Sequence, residues 1–435
     1  MPDMIPAIRR LGLLQSEARC CIPPQVSTTP SVLEVAADRG VLLMSHKRSG
    51  FSLYIHVPFC IHKCPYCDFN TYAVSNVPGE SYVDGLLAEL DYRLAQPEWH
   101  EREVNTVFFG GGTPSLLEPR LIAKVLTAIR ERAAVQDGAE ISLEANPGQA
   151  SRAFLLGYRE AGVNRVSFGA QSFTVSTLKS LGRLHTANDI ATAFSDARSA
   201  GFDNINIDLI YGVPKQTLTE FKSDLNEALS LAPQHISLYG LTIEQGTPLH
   251  SAVARKDIIP LDDDTTLAMM EHGNERLSEA GLEHYEVSNF SHPGYSARHN
   301  LAYWNGDDYL GLGAGAHSFF RVDADSAKRW SNISLPEEFS KRARASGAAE
   351  SWQDNLKRRD LIFEFFFLGL RKRAGVSLNR FKELFGVDID HPYPGLITVL
   401  CDQGLLCVTG DALSITTKGL PLSDSVVENF ADPVL

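Results

Sequence analysis

From Ser52 onward, short apolar or β-branched runs alternate with amphipathic stretches of helical length, and this alternation limits the fold more than any other feature of the chain. The runs predict strands at Leu53–Val57, Thr106–Phe109, Glu140–Glu144, Arg165–Gly169, Asn204–Ile210 and His235–Leu241. Helical periodicity between and after them predicts helices at Tyr82–Ala95, Arg120–Ala133, Ala153–Ala161, Asp189–Ala200, Leu218–Leu231 and Asp264–Ala280. Stop signals fall where helices should end, at Gly162, Gly201 and Gly281. Six strand–helix units in series imply parallel strands with helices outside. In the fifth strand Asn204, Asn206 and Asp208 alternate with Ile205, Ile207 and Leu209, so one face meets something polar. An open doubly wound sheet buries both faces. The predicted fold is therefore α/β, a partial (βα)6 parallel barrel whose interior holds a ligand. Reactive groups in such folds lie at the C-terminal strand ends. A cysteine cluster follows the first strand here, Gly110–Pro114 the second, and Glu144 to Pro147 end the third.

Past Asp323 the pattern changes. Leu356–Leu370 predicts an apolar helix, followed by helices at Ser377–Phe385 and Tyr393–Gln403 and a hairpin of Leu405–Thr409 with Leu413–Thr416. The predicted organisation is an extension at 1–48, a barrel with its closing segment at 49–322, and a winged-helix-like α+β domain at 323–435. Winged helices often bind DNA, but Asp388, Asp390, Asp402, Asp411 and Asp424 offset the basic residues of this one, which favours a packing or lid role. The first 45 residues carry Arg9-Arg10, a short apolar patch and a Ser/Thr/Pro-rich stretch, and lack a clear secretory core or cleavage site. They read as a disordered extension or a start placed too early, with Met44 as a suitable start.

The net charge of −13 would repel a phosphate backbone, so nucleic acid is not an expected partner. No apolar run approaches the roughly 20 residues that span a bilayer. The longest, Phe363 to Leu370, stops at Arg371-Lys372-Arg373, so no integral membrane segment is expected. Seven cysteines, an odd number, do not suggest a disulfide framework; three of them crowd together, which points to a reducing, cytoplasmic setting and a metal site.

The crowded stretch is Cys60-Ile61-His62-Lys63-Cys64-Pro65-Tyr66-Cys67. Thiolates suit zinc, copper(I) or iron–sulfur clusters. Structural zinc needs four closed ligands, and no second cysteine pair is correctly spaced, although His56 or His62 could complete a set. Cys64-Pro65-Tyr66-Cys67 also reads as a glutaredoxin-type redox pair, but that motif belongs to a much smaller domain and has no use for Cys60. Three cysteines can instead hold three corners of a [4Fe–4S] cubane and leave one iron open for the amino and carboxylate groups of S-adenosylmethionine (SAM).

Tyr54-Ile55-His56-Val57-Pro58-Phe59-Cys60 leading into this motif, with Gly110-Gly111-Gly112-Thr113-Pro114 further on, resembles the radical SAM superfamily. The resemblance runs from Leu53 to the C-terminus. It points to the branch that holds oxygen-independent coproporphyrinogen III dehydrogenase and the haem chaperones. By that resemblance Cys60, Cys64 and Cys67 ligate the cluster, and Tyr54 and Tyr66 flank SAM. Gly111, Gly112 and Thr113 meet its methionyl amino group, and Glu144 hydrogen-bonds it. Gln171, Arg183 and Asp208 match positions that contact a second SAM in the dehydrogenase; equally, Arg183 and Asp208 could form a buried ion pair.

Arg298-His299-Asn300-Leu301-Ala302-Tyr303-Trp304 resembles the H-N-x-x-Y-W segment of the haem chaperones. That implies haem contact by His299, Asn300, Tyr303 and Trp304, with imidazole as axial ligand. Read from residue chemistry alone, His299 would be a hydrogen-bonded structural histidine and Trp304 core. The glycine-rich Gly311–His317 run is expected to close the SAM pocket. The dehydrogenase has another cysteine two positions after the third ligand, where this chain has Phe69, and it has an ordered N-terminal segment for which Met1 to Gly50 offer no counterpart. The implied function is a haem carrier with [4Fe–4S], SAM and haem as cargo, apo-haem proteins as acceptors, and a homodimer as an allowed assembly. The alternatives are SAM-dependent oxidative decarboxylation of coproporphyrinogen III, and radical SAM chemistry on an unrelated substrate.

Overall fold

A computed structural model describes residues 50–434. The expectations for residues 1–48, Cys20-Cys21 among them, lie outside the described residues. The six predicted strands are present and adjacent in chain order: β1 (Phe51–Val57), β2 (Glu103–Gly111), β3 (Ala134–Ala145), β4 (Arg165–Gln171), β5 (Asn204–Tyr211) and β6 (His235–Gly240), all parallel. Each is followed by a helix packed on the outside. α1 (Gly79–Leu94) buries Tyr82, Leu86, Leu90 and Leu94 at four-residue spacing, the stripe that an amphipathic helix offers a sheet. α2 is Pro119–Arg132 and α3 Arg152–Ala161. α3 is capped by Ser151 and stopped by Gly162 in the left-handed region. Capping boxes open α4 (Ala187–Ser199) with Thr186 and Asp189, and α5 (Leu218–Ser230) with Thr217 and Glu220. α6 is Asp263–Glu279.

The six strands do not close on themselves. Beyond β6 lie antiparallel β8 (Asn289–Ser291) and then β7 (Glu283–Glu286). On the other side, β9 (Tyr309–Leu312) runs parallel to β1, with Ser52 opposite Tyr309 and Ile55 opposite Leu312. An antiparallel meander continues it: β10 (His317–Arg321), β11 (Ser326–Asn332) and β12 (Glu350–Lys357). The result is one twelve-stranded sheet with a parallel centre. It continues through β11 and β12, past the boundary expected at 322/323, because the ladders of β11 to β10 and of β12 to β11 outweigh the polar, loop-like composition of these strands. α7 (Arg298–Trp304) lies between β8 and β9, and α8 (Pro336–Ser346) between β11 and β12.

Leu53, Ile55 and Val57 join the core beneath the helices, whereas Ser52, Tyr54 and His56 face the interior of the curved sheet. Asn206 shows what that interior is made of. Its amide donates to Ser167 (2.7 Å) and Asp208 (2.7 Å) and its amide oxygen accepts from the Ser237 hydroxyl (3.2 Å), the polar lining that the alternation in β5 predicts. The C-terminal part comprises α9 (Arg358–Gly369), α10 (Leu378–Phe385), α11 (Leu396–Asp402) and a small sheet of β13 (Val376–Ser377), β15 (Ala412–Ile415) and β14 (Leu406–Thr409). In α9, Phe366 stacks on Phe430 with ring centres 4.5 Å apart, and Glu364 grips Arg329 of β11 through two bonds of 2.8 and 2.9 Å. Among the described residues no helix is long and apolar enough to cross a membrane.

Candidate cluster and cofactor site

The three cysteines sit in the loop after β1, each a half-buried free thiol. The loop is held from several directions. Lys63 caps the carbonyls of Phe69 and Thr71, and the Cys67 amide donates to the Cys64 carbonyl. The Asn70 amide donates to the carbonyls of Ala314 and Ser334. Burial pushes the Cys60 thiol up against the opposing effect of the Thr113 hydroxyl, which lies 3.6 Å from its sulfur; burial also pushes Cys67 up to about 11. Such thiols keep their protons until a metal replaces them. Among the described residues no three His, Cys, Asp or Glu side chains converge on a single-ion site. A cubane does not require that, since each thiolate takes a different iron.

The glycine turn lies beside the loop. Gly111 adopts φ +112°, and a β-carbon there would come within 2.4 Å of the His56 ring. At Gly112 a β-carbon would strike the Phe59 and Val57 carbonyls. Only glycine allows this approach. The Gly112 and Thr113 amides bond back to Val57 and Phe59, and the Gly111 amide donates to Glu144 at 3.0 Å. Burial, with Asp208 nearby, raises the Glu144 carboxyl to about 7, and burial raises Asp208 as well. Two buried carboxylates that resist ionising together suit a cationic ligand.

Tyr54 and His56 line the floor. Nε2 of His56 faces the Asn70 carbonyl at 2.9 Å, which can only accept, so Nδ1 accepts from the Tyr54 hydroxyl, also at 2.9 Å. Tyr66 packs against Leu181, Ile210 and Val213 on the far side of the loop. Arg183 reaches the Cys64 sulfur (3.7 Å), the Gly169 carbonyl (2.7 Å) and Asn146. The ion pair left open for Arg183 and Asp208 is not made; Asp208 accepts from Ser167 at 3.0 Å and from Asn206. Gln171 holds φ +65°, and its buried Oε1 has no hydrogen-bond partner among the described residues. A β-carbon at Gly169 would fall within 3.2 Å of Gln171, Arg183 and Asn146 alike. Gly111, Gly112, Thr113, Glu144 and Gln171 thus lie at or just past the C-terminal ends of their strands, and Thr113 and Arg183 reach Cys60 and Cys64.

Asn146 was not singled out in the sequence. It donates to the Thr113 hydroxyl at 2.9 Å and accepts from Arg183, linking the glycine turn to the cysteine loop. Its place directly after β3, where functional groups collect, was the available signal. Asn70 and His56 were missed as anchors of the loop.

The α7 residues lie deeper, toward the N-terminal ends of the strands. His299 is 1 % exposed and stacks on Phe108. Thr106 donates to Ser52, so it accepts from Nδ1 of His299 (2.7 Å), which leaves Nε2 to accept from the Tyr303 hydroxyl (2.9 Å). Burial lowers this imidazole to about 3. Glu140 caps the Arg298 and His299 amides. Trp304 is buried under the Arg371 guanidinium, and Asn300 is half-buried. The Gly311–His317 run forms the end of β9 and the turn into β10. The Gly313 amide donates to buried Glu89 and the Ala314 amide to Tyr82.

The radical SAM superfamily model matches residues 54–228, and the HemN C-terminal domain model matches residues 356–422. The chain is 38% identical over 380 residues to a protein named heme chaperone HemW from Escherichia coli (strain K12), covering 87% of this chain and 97% of that one. It is 35% identical over 384 residues to the Bacillus subtilis (strain 168) protein of the same name, covering 87% and 98%. In fold it is similar to coproporphyrinogen III oxidase (HemN) from Escherichia coli, described as a radical SAM enzyme, with TM-score 0.75 and 24% identity over 89% of this chain and 91% of that one.

Proposed function

Because this chain belongs to the HemW family of the radical SAM superfamily, we propose that it is a haem chaperone that carries a [4Fe–4S] cluster, binds SAM, and delivers haem to apo-haem proteins in the cytoplasm. The observation that carries this reading is likeness along 97% of a protein named heme chaperone. Phe69, standing where the dehydrogenase branch has a further cysteine, supports it.

The residues present fit the implied groups. Three free thiols, one beside Thr113 and one beside Arg183, would hold the cluster. Once bound, the cluster supplies an open iron for SAM and an electron at low potential. This chain's own residues then bind and orient. The Gly111–Thr113 backbone offers close approach, Glu144 and Asp208 favour the cationic groups of SAM, and Arg183 favours its carboxylate. Tyr54 and Tyr66 wall the site and exclude water. For His299 to ligate haem through Nε2, iron would have to displace the Tyr303 hydroxyl. Unchanged haem transfer by His299→Ala would remove that assignment.

A second reading, oxidative decarboxylation of coproporphyrinogen III, draws on the orphaned Gln171 oxygen beside Arg183. An anaerobic assay with SAM, reductant and coproporphyrinogen III separates the two. The chaperone reading expects no protoporphyrinogen from cluster-loaded protein; catalytic formation of it would establish the enzyme instead. Cys60→Ala should abolish cluster assembly, read as iron content and visible absorption, and a full signal in that variant would refute the ligand assignment.

A further inference from the structure

Beside the cysteine loop an open groove of about 340 Å³ runs between His62, Val175, Leu178, Lys179, Gly182 and Leu184. Its walls are unusually apolar for a surface. Val175 is 75% and Leu184 67% exposed, and both border the same groove. Water-facing side chains of this size, gathered in one concavity, mark a binding surface. His62 overhangs it, and a β-carbon at Gly182 would lie 3.6 Å from Nε2. The His62 ring is exposed and makes no hydrogen bond among the described residues. The groove's other imidazole, His185, is buried and places Nε2 on the Ala170 carbonyl at 2.9 Å.

We propose that this groove is the haem-docking site and that His62 is the residue that ligates the iron. The inference rests on the haem-chaperone reading and gives it a location. A macrocycle needs an apolar wall on which to lie, an imidazole lone pair, and cations for its propionates. Val175, Leu178 and Leu184 supply the wall, His62 the lone pair, and exposed Lys179 the charge. The volume is at the lower end for a ligand pocket, so one edge of the macrocycle seats while the rest stays open. Open seating suits cargo that must be handed on. His299, in contrast, is sealed on both ring nitrogens. The groove also borders the Cys64–Arg183 contact, so haem there would sit next to the cluster.

The test is a titration of the cluster-loaded full chain with ferric haem, followed by difference absorption spectra. Wild-type protein should give an imidazole-ligated spectrum. His62→Ala should change that ligation and weaken binding about tenfold or more, about 1.4 kcal/mol. Leu184→Glu, outside the cysteine loop, should weaken binding with wild-type iron content. His62→Tyr should convert the spectrum to a tyrosinate-ligated one. Wild-type ligation and affinity in both His62→Ala and Leu184→Glu would overturn the groove while leaving the chaperone reading intact. No haem uptake by wild-type protein would overturn both.

Discussion

Glu144 connects the third strand to the glycine turn, and its carboxyl sits at about 7 against an ordinary 4.5. Between those values the folded protein holds a proton that the unfolded chain has released. Its contribution to stability is therefore full below about pH 4.5 and is lost as pH rises through 7. Glu89, raised to about 7 in the same direction by burial, adds to this slope. Glu144→Gln keeps an oxygen for the Gly111 amide and cannot ionise, so urea unfolding of cluster-free protein should weaken less between pH 5 and pH 7 than in wild type. Equal slopes would dismiss Glu144 as a source. Cysteine spacing and the glycine turn were legible from the sequence because local chemistry dictates them. Asn70 was not, because its role is set by Ala314 and Ser334, far along the chain. Asn146 was legible only as one polar residue among several after β3.

Among the elements, α7 seals the interior of the sheet through a relay from Ser52 through Thr106 and His299 to Tyr303. Tyr303→Phe leaves Nε2 of His299 buried without a donor, which should cost about 1–3 kcal/mol in denaturant unfolding. A loss below a few tenths would mean that the relay does not hold the helix. The parallel strands and their helices were readable because 2- and 3.6-residue periods are local properties. The outer strands were not. Gly311–Ala316 has the composition of a loop, and the polar text of Glu350–Lys357 becomes a strand only because Ser326–Asn332 lies beside it. Pairing of this kind is decided by long-range partners, which a local period does not encode.

For the whole molecule, the buried Arg329–Glu364 pair is a principal tie between α9 and the large sheet. Glu364→Ala leaves the guanidinium buried without its partner and should cost about 3–5 kcal/mol. Limited proteolysis should then cut near residue 358 before the parallel strands are attacked; cleavage elsewhere first would show that other contacts carry the tie.

The pairing of β1 with β9 also has a consequence for synthesis. Ser52 leaves the ribosome long before Tyr309, yet the two are neighbours in the centre of the sheet. Until β9 arrives, one side of β1 is an unpaired strand edge, and the cysteine loop that follows it lacks the Ala314 and Ser334 carbonyls that anchor Asn70. Contacts this distant along the chain form slowly. A nascent chain halted before residue 309 would expose that edge to aggregation and would hold its three thiols less firmly than the finished protein does.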